Sequence, residues 1–174
     1  FCVSFGGIQH SVRASRQADR DRTRLEVGAI SIHVVRPLLE HRVVVDNRFG
    51  VSADITWRAT SALLEEPTFK HFENGRPQMD YTRMTQFGTW TGWIEVDGRR
   101  VERRDWWGAR DHSWGVRPGV GGFEPVPGLR RTERGGLFVW NCIGTDEFML
   151  QFQFRENAEG KRQYLDGQLD HPVD

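Results

Sequence analysis

The sequence is short of the features that mark several large classes of protein. Its 174 residues include two cysteines, Cys2 and Cys142, so it carries neither a disulfide framework nor a CxxC metal motif. It has no run of about 18 apolar residues, which excludes a transmembrane helix. It shows no charged-then-apolar leader, so we expect no signal peptide and predict a cytoplasmic protein with reduced thiols.

The sequence also lacks an excess of charge of either sign. It has 24 basic and 24 acidic residues, and its formal net charge is zero. No overall field would therefore recruit nucleic acid or an anionic membrane. The arginine-rich residues 98–104, GRRVERR, are interleaved with acidic residues and are typical of a solvated strand face. The histidines show no HxH or HExxH spacing, so we expect no metal and no cofactor.

Apolar and polar residues alternate in many segments, whereas helical periodicity is hard to find. Residues 51–60 alternate strictly, and residues 148–155 do the same with Phe148, Leu150, Phe152 and Phe154 on one side. Such a pattern predicts a half-buried strand. We expect the phenylalanines to face inward. The predicted strands are residues 26–36, 39–47, 50–60, 85–96, 99–108, 136–143, 147–155 and 161–168.

The turns indicate how these strands are connected. Asp97 and Gly98 lie between two predicted strands and form a two-residue hairpin signal, since both positions must tolerate a positive φ. The chain is therefore predicted to be all-β, a meander of antiparallel strands. A meander removes its exposed edges by closing into a barrel, and about eight strands enclose side chains or one small ligand.

Three segments interrupt the alternation. Residues 1–25 are charged and predict a loop, with a short helix as an alternative, and residues 62–82 predict an insertion that covers a barrel mouth as a lid. Residues 117–135 are rich in proline and glycine and predict a linker. We therefore place one β domain at residues 1–116. Residues 117–174 are then either the start of a second β domain or the remaining strands of the same barrel.

Residues 106–118, WWGARDHSWGVRP, hold the strongest candidate for a functional site. A carboxylic acid such as Asp111, walled by the indoles of Trp106, Trp107 and Trp114, is poorly solvated when ionised, and this favours the protonated form. That acid can protonate an alkene, and tryptophan faces stabilise the resulting carbocation. His112 would activate the water that captures the cation, or would hold Asp111 in position.

The same residues also fit a purely structural role. The tryptophans would close the end of a barrel, and Asp111 would fix a corner by pairing with Arg110 or Arg117. Arg110 also favours the ionised form of its neighbour, which opposes the acid role. The sequence alone leaves both interpretations open.

The motif GARDHSWGVR of residues 108–117, preceded by QFGTWTGWIEVDGRRV and followed by GLFVWNCIGTDEFMLQFQF, resembles the carotenoid hydratase-related lipocalin-like superfamily. The DHxWG-type motif of that superfamily corresponds to residues 111–115 of this chain. The extended RDHSWG signature of its little-studied bacterial members corresponds to residues 110–115. The resemblance covers residues 26–60 loosely and 85–169 more firmly. It implies two tandem lipocalin-like (calycin-type) barrels, with the motif near their junction and an apolar cavity that hydratases and cyclases of this group share. Members are usually about twice this length.

These observations predict that the chain binds a small hydrophobic molecule, such as a terpenoid, steroid or polyketide, in an apolar β-barrel cavity. An enzyme of the hydratase, isomerase or cyclase kind is the favoured form. The catalytic candidates are Asp111 and His112, and the substrate-binding candidates are Trp90, Trp106, Trp107, Arg110 and Trp114. A non-catalytic carrier and a structural or interaction module remain alternatives, and a homodimer is a further expectation.

Overall fold

A computed structural model of the chain describes residues 1–17, 19–73, 75–117 and 136–172. In these residues the regular structure is β-strand, with no helix, so the all-β prediction is confirmed. The strands in chain order are β1 (Cys2–Phe5), β2 (Ile8–Ser11), β3 (Leu25–Val27), β4 (Ile30–Arg36), β5 (Glu40–Arg48), β6 (Val51–Ala59), β7 (Leu64–Glu65), β8 (Phe69–Glu73), β9 (Arg76–Val96), β10 (Arg99–Val116), β11 (Leu137–Gly144), β12 (Met149–Glu156) and β13 (Arg162–Asp170). The described residues include no helix long and apolar enough to cross a membrane.

The predicted hairpin between β9 and β10 is confirmed. Asp97 and Gly98 have φ values of 48° and 78°, as a turn whose two central residues are left-handed requires. The single strand predicted over residues 26–36 is instead two strands, β3 and β4. Gly28, with a φ of 59°, turns the chain between them.

Two segments predicted to lack strands contain them. In residues 1–25, predicted as a loop, β1 and β2 form an antiparallel hairpin. In residues 62–82, predicted as a lid, β7 and β8 pair with β9. Pro67 lies between β7 and β8, and Pro77 lies next to a register shift in the β8–β9 ladder. The prolines therefore interrupt the alternation without preventing strand pairing.

The largest sheet has the strand order β10-β9-β6-β5-β4-β3, with β7 and β8 added to β9. The pairs from β3 to β6, and the β6–β9 pair, are antiparallel. A separate three-stranded antiparallel sheet has the order β11-β12-β13. Among the described residues no ladder joins the end strands β3 and β10, so the meander is present and its closure into a barrel is not.

The chain forms two compact units. The first contains residues 1–59 and 88–108, and the second contains residues 60–87 and 109–174. Strands β9 and β10 each pass from one unit to the other. The domain boundary predicted near residue 116 stays a prediction, and the linker predicted at residues 117–135 lies outside the described residues from residue 118 onward.

The first unit has an apolar core of small and β-branched side chains. Its buried cluster comprises Val12, Ala29, Val45, Val51 and Ala53. Trp57 on β6 is also buried, and its indole lies over Gly88 of β9. A Cβ atom on Gly88 would lie 2.5 Å from the indole ring, so only glycine leaves room for Trp57 at this position.

The second unit reverses the expected orientation of β12. Met149, Gln151 and Gln153 are buried, whereas Leu150, Phe152 and Phe154 are only half-buried. The prediction that the phenylalanines face the core is therefore wrong. Their side of the sheet carries eight apolar side chains, with the charged pair Glu156 and Arg162 at one end, and we call it the apolar face: Leu137, Val139 and Ile143 of β11, Leu150, Phe152 and Phe154 of β12, and Leu165 and Leu169 of β13.

Candidate functional site

The residues predicted from the motif lie on β9 and β10 but not in one unit. Trp90, Trp106 and Trp107 belong to the first unit. Arg110, Asp111, His112 and Trp114 belong to the second. Since neighbouring residues of a strand point to opposite faces, Asp111 and His112 project in opposite directions from β10.

The side chains of the predicted catalytic pair are exposed. Asp111 and His112 both face solvent, and Trp114 is 47% exposed, as is Trp107 of the first unit. The ring of His112 lies 6.0 Å from that of Trp114. The exposed position of Asp111 differs from the surroundings of indole rings that the sequence predicts, and its catalytic role stays a prediction.

The other predicted binding residues have structural contacts. Arg110 is half-buried, and its Nη1 donates a hydrogen bond of 3.1 Å to Oε1 of the buried Gln86. Burial lowers the pKa of Arg110, and the carboxylate of Asp111 acts in the opposite direction. Trp90 packs against Gly108, where a Cβ atom would lie 2.4 Å from its indole nitrogen. Trp106 is half-buried.

The most deeply buried charged group that the sequence reasoning missed is Glu66. Its side chain is 3% exposed, and it forms a two-pronged ion pair with Arg83 on β9. Nε and Nη2 of Arg83 donate hydrogen bonds of 2.9 Å to Oε1 and Oε2 of the carboxylate, respectively. Bidentate geometry of this kind makes both a strong contact and a rigid one.

Four further side chains donate to the same carboxylate. Gln151 Nε2 and Trp140 Nε1 lie 3.2 Å and 3.4 Å from Oε1, and Thr85 Oγ1 lies 3.5 Å from it. Gln153 Nε2 donates to Oε2, while its Oε1 accepts a bond of 2.8 Å from Arg83 Nη2. A buried charge is tolerated when its partners are this complete.

The strand registers explain why these residues meet. Glu66 follows β7, and its backbone N–H donates to the carbonyl of Arg83 across the β7–β9 ladder. Strand β12 supplies Gln151 and Gln153, which stand at alternate positions and therefore point to one face of the strand. Two glutamines spaced by two residues inside an apolar strand were the available sequence signal. The buried ion pair explains why that polar face is the buried one.

Next to this cluster lies a small hollow with aromatic walls, which we call the aromatic hollow. Its walls include Phe69, Tyr81, Phe138 and Tyr164, and Glu66, Arg83 and Gln153 line its polar side. The Phe69 centroid lies 5.8 Å from the centroids of both Tyr81 and Tyr164. The space open to the centre of a water molecule is about 10 Å³, enough for one water.

Arg155 contacts two of these rings. Its guanidinium carbon lies 4.6 Å from the centroid of Phe69 and 5.2 Å from that of Phe138. Among the described residues no carboxylate lies within ion-pair distance of Arg155. Phe138, on β11, is 51% exposed. Arg155 and Phe138 therefore form the accessible side of the hollow, and Arg83 and Glu66 lie on its buried side.

Two weakly acidic groups of the second unit are held in their protonated forms. Burial, with Asp166 as the next cause, raises the pKa of Tyr164 to about 12. Burial, followed by the negative charges of Asp111 and Glu66, raises the pKa of Cys142 to about 11. At neutral pH the phenol of Tyr164 keeps the proton that it can donate to a ligand. Cys142 remains a thiol and is a poor nucleophile.

The comparisons with known proteins identify a family but no activity. No group of three or more side chains able to bind a metal ion lies together in the part of the chain that the structure describes. Neither a curated protein nor a solved structure matches the chain. Residues 1–173 match the model of DUF8625, a family of unknown function, and the chain belongs to that family.

Proposed function

We propose that the protein binds a small, largely apolar molecule in the aromatic hollow of its second unit. The observation that carries this proposal is the polar cluster of Glu66 and Arg83 beside a hollow walled by Phe69, Tyr81, Phe138 and Tyr164. Ligand sites typically combine apolar and aromatic walls with a few fixed polar groups. The ligand classes that the sequence predicts, namely terpenoids, steroids and polyketides, have apolar bodies with few polar substituents.

Binding requires the accessible side of the hollow to move, since its free space admits about one water molecule. Phe138 is half-exposed, and Arg155 is held by contacts with two rings rather than by an ion pair. Cation–π contacts contribute about 0.5–2 kcal/mol each. A ligand ring that replaces the guanidinium offers the walls a comparable contact. The buried side, fixed by five donors to Glu66, stays in place.

The test uses 1-naphthalenemethanol, a neutral probe, and isothermal titration calorimetry. A probe of about 12 non-hydrogen atoms at about 0.4 kcal/mol per atom has a binding free energy of about 5 kcal/mol and a dissociation constant of about 0.2 mM. Phe138→Ser removes one wall and should weaken binding about tenfold. Leu165→Ser is the matched control, because Leu165 is similarly exposed but lies on the apolar face of the same sheet.

Two results would contradict the proposal. One is the absence of binding to the natural sequence at millimolar probe. The other is an equal loss of affinity in Phe138→Ser and Leu165→Ser, which would place the probe on the apolar face or on no defined site.

Catalysis is a separate part of the proposal. The sequence assigns acid-assisted hydration, isomerisation or cyclisation to Asp111 with His112, whereas ligand binding alone needs neither. A ligand that copurifies with the protein, identified by mass spectrometry, provides the substrate for the test. Asp111→Asn should abolish its turnover and leave its binding unchanged. Turnover at the natural rate in Asp111→Asn would refute the catalytic role, and the absence of product with both proteins would favour a carrier.

The finer fold and the homodimer also belong to this proposal. A lipocalin-like barrel agrees with the antiparallel meander of the first unit and requires β3 to pair with β10. For the dimer, the surface that fits is the apolar face, because a two-fold axis can lay a second copy on its apolar side chains, with the charged pair Glu156 and Arg162 at one end of the face. Its eight side chains would bury about 500 Å² per copy, or about 1,000 Å² in total, near the lower limit for a specific interface.

A further inference from the structure

We propose that the aromatic hollow selects a ligand with a planar aromatic body and a carboxylate, and that Arg155 binds the carboxylate. This inference depends on the proposed function, because it names the class of ligand for the same site. In the protein without ligand the guanidinium of Arg155 lies over Phe69 and Phe138. On binding, the ligand ring takes that place, and Arg155 turns to pair with the carboxylate.

The contacts that the guanidinium of Arg155 makes with Phe69 and Phe138 favour a flat group in its place. A guanidinium is planar, and here its carbon is within 4.6 Å and 5.2 Å of two ring centroids. Planar cations and aromatic rings both stack on such faces. The Tyr164 ring meets the Phe69 ring at 76°, edge to face, and is a further aromatic wall of the hollow. A flat aromatic ring therefore fits better here than the bulky, puckered rings of a steroid.

The hydrogen-bonding groups around the hollow favour an acceptor on the ligand. The carboxylate and amide oxygens that line the hollow already have partners: Glu66 accepts from five side chains, and Gln153 Oε1 accepts from Arg83. Arg155 has no carboxylate partner among the described residues, and Tyr164 keeps a phenolic proton because its pKa is about 12. A ligand carboxylate can accept hydrogen bonds from both Arg155 and Tyr164, whereas a ligand cation would be repelled by the charges of Arg155 and Arg83.

The experiment compares two probes with the same body. 1-Naphthoate carries a carboxylate where 1-naphthalenemethanol carries a hydroxyl, and both are titrated by calorimetry at pH 7 and low salt. We expect 1-naphthoate to bind about tenfold more tightly, since hydrogen bonds between charged groups are roughly twice as strong as neutral ones. Arg155→Gln should remove this tenfold preference, so that the two probes bind this variant with equal affinity. Arg162→Gln, an exposed arginine on β13, should preserve the preference.

The outcomes separate this inference from the proposed function. If neither probe binds the natural sequence, the proposed function fails. If both probes bind equally and lose affinity in Phe138→Ser, the function stands and the selection of a carboxylate is wrong. If the preference survives in Arg155→Gln, or disappears equally in Arg162→Gln, then Arg155 is not the group that binds the carboxylate.

Discussion

Replacing the buried carboxylate of Glu66 should destabilise the protein more than replacing Glu40, a 14% exposed carboxylate whose two arginine partners are exposed. Glu66→Gln keeps the size of the side chain but leaves the buried charge of Arg83, whose side chain is 12% exposed, without its counter-ion. Breaking a buried ion pair from one side costs about 3–5 kcal/mol. Arg83 retains a little access to water, and its hydrogen bond to Gln153 remains. We therefore expect Glu66→Gln to lower the free energy of unfolding by about 3 kcal/mol, the lower end of this range.

Glu40→Gln provides the matched control. Glu40 pairs with Arg36 and Arg58, and both arginine side chains are 59% exposed. Such surface pairs contribute about 0.2–1 kcal/mol each. The assay is urea denaturation followed by circular dichroism. With a denaturant slope of about 2 kcal/mol per molar, the expected loss moves the midpoint by about 1.5 M for Glu66→Gln and by about 0.2–1 M for Glu40→Gln, which loses two such pairs.

Hydrogen exchange locates the effect in the chain. Amides of β12 should exchange faster in Glu66→Gln, while those of β5 should keep their natural rates, because the two strands belong to different units. The double variant with Arg83→Met should be less destabilised than the sum of the single variants, since no unpaired charge remains. Equal midpoints for Glu66→Gln and Glu40→Gln would refute the view that this ion pair organises the second unit.

Two further predictions concern the thiols and the association state. Iodoacetamide at pH 8 should modify the exposed Cys2 and spare Cys142. The rate of modification at Cys142 should rise about tenfold per pH unit until the pH approaches the pKa of this thiol, about 11. Fast modification of Cys142 at pH 8 would contradict its burial. Light scattering should give the mass of a dimer for the natural sequence. The double variant Leu165→Glu and Leu169→Glu should give the mass of a monomer, because its dimer would bury charge between two apolar faces. A monomeric mass for the natural sequence at 100 µM would refute the dimer.

Much of the fold was accessible from local sequence patterns. Alternation located β5, β6 and the second half of β9, and Asp97 with Gly98 located the hairpin after it, because each of these signals depends only on neighbouring residues. The β1–β2 hairpin and the β7 and β8 strands were missed. They are short, and pairing with a neighbouring strand stabilises them more than their own composition does.

The candidate site was less accessible, because it depends on contacts distant in sequence. Alternation in residues 148–155 establishes a two-faced strand, but hydrophobicity alone selects the wrong face. In the structure the face of Gln153 is buried instead, because Gln153 bonds to the ion pair of Glu66 and Arg83. Gln153 is 70 residues from Arg83 and 87 from Glu66. No local pattern connects these positions. The motif around Asp111 drew attention because its residues are chemically conspicuous, although in the structure its aspartate faces solvent.

The interleaving of the two units along the chain limits how their sequence can be divided. Residues 88–108 of the first unit lie between two segments of the second. A single crossover between genes, or a single cut by a protease, therefore cannot release one unit whole and free of the other. Inheritance of both units together is therefore expected, and one family model matches residues 1–173, which include segments of both.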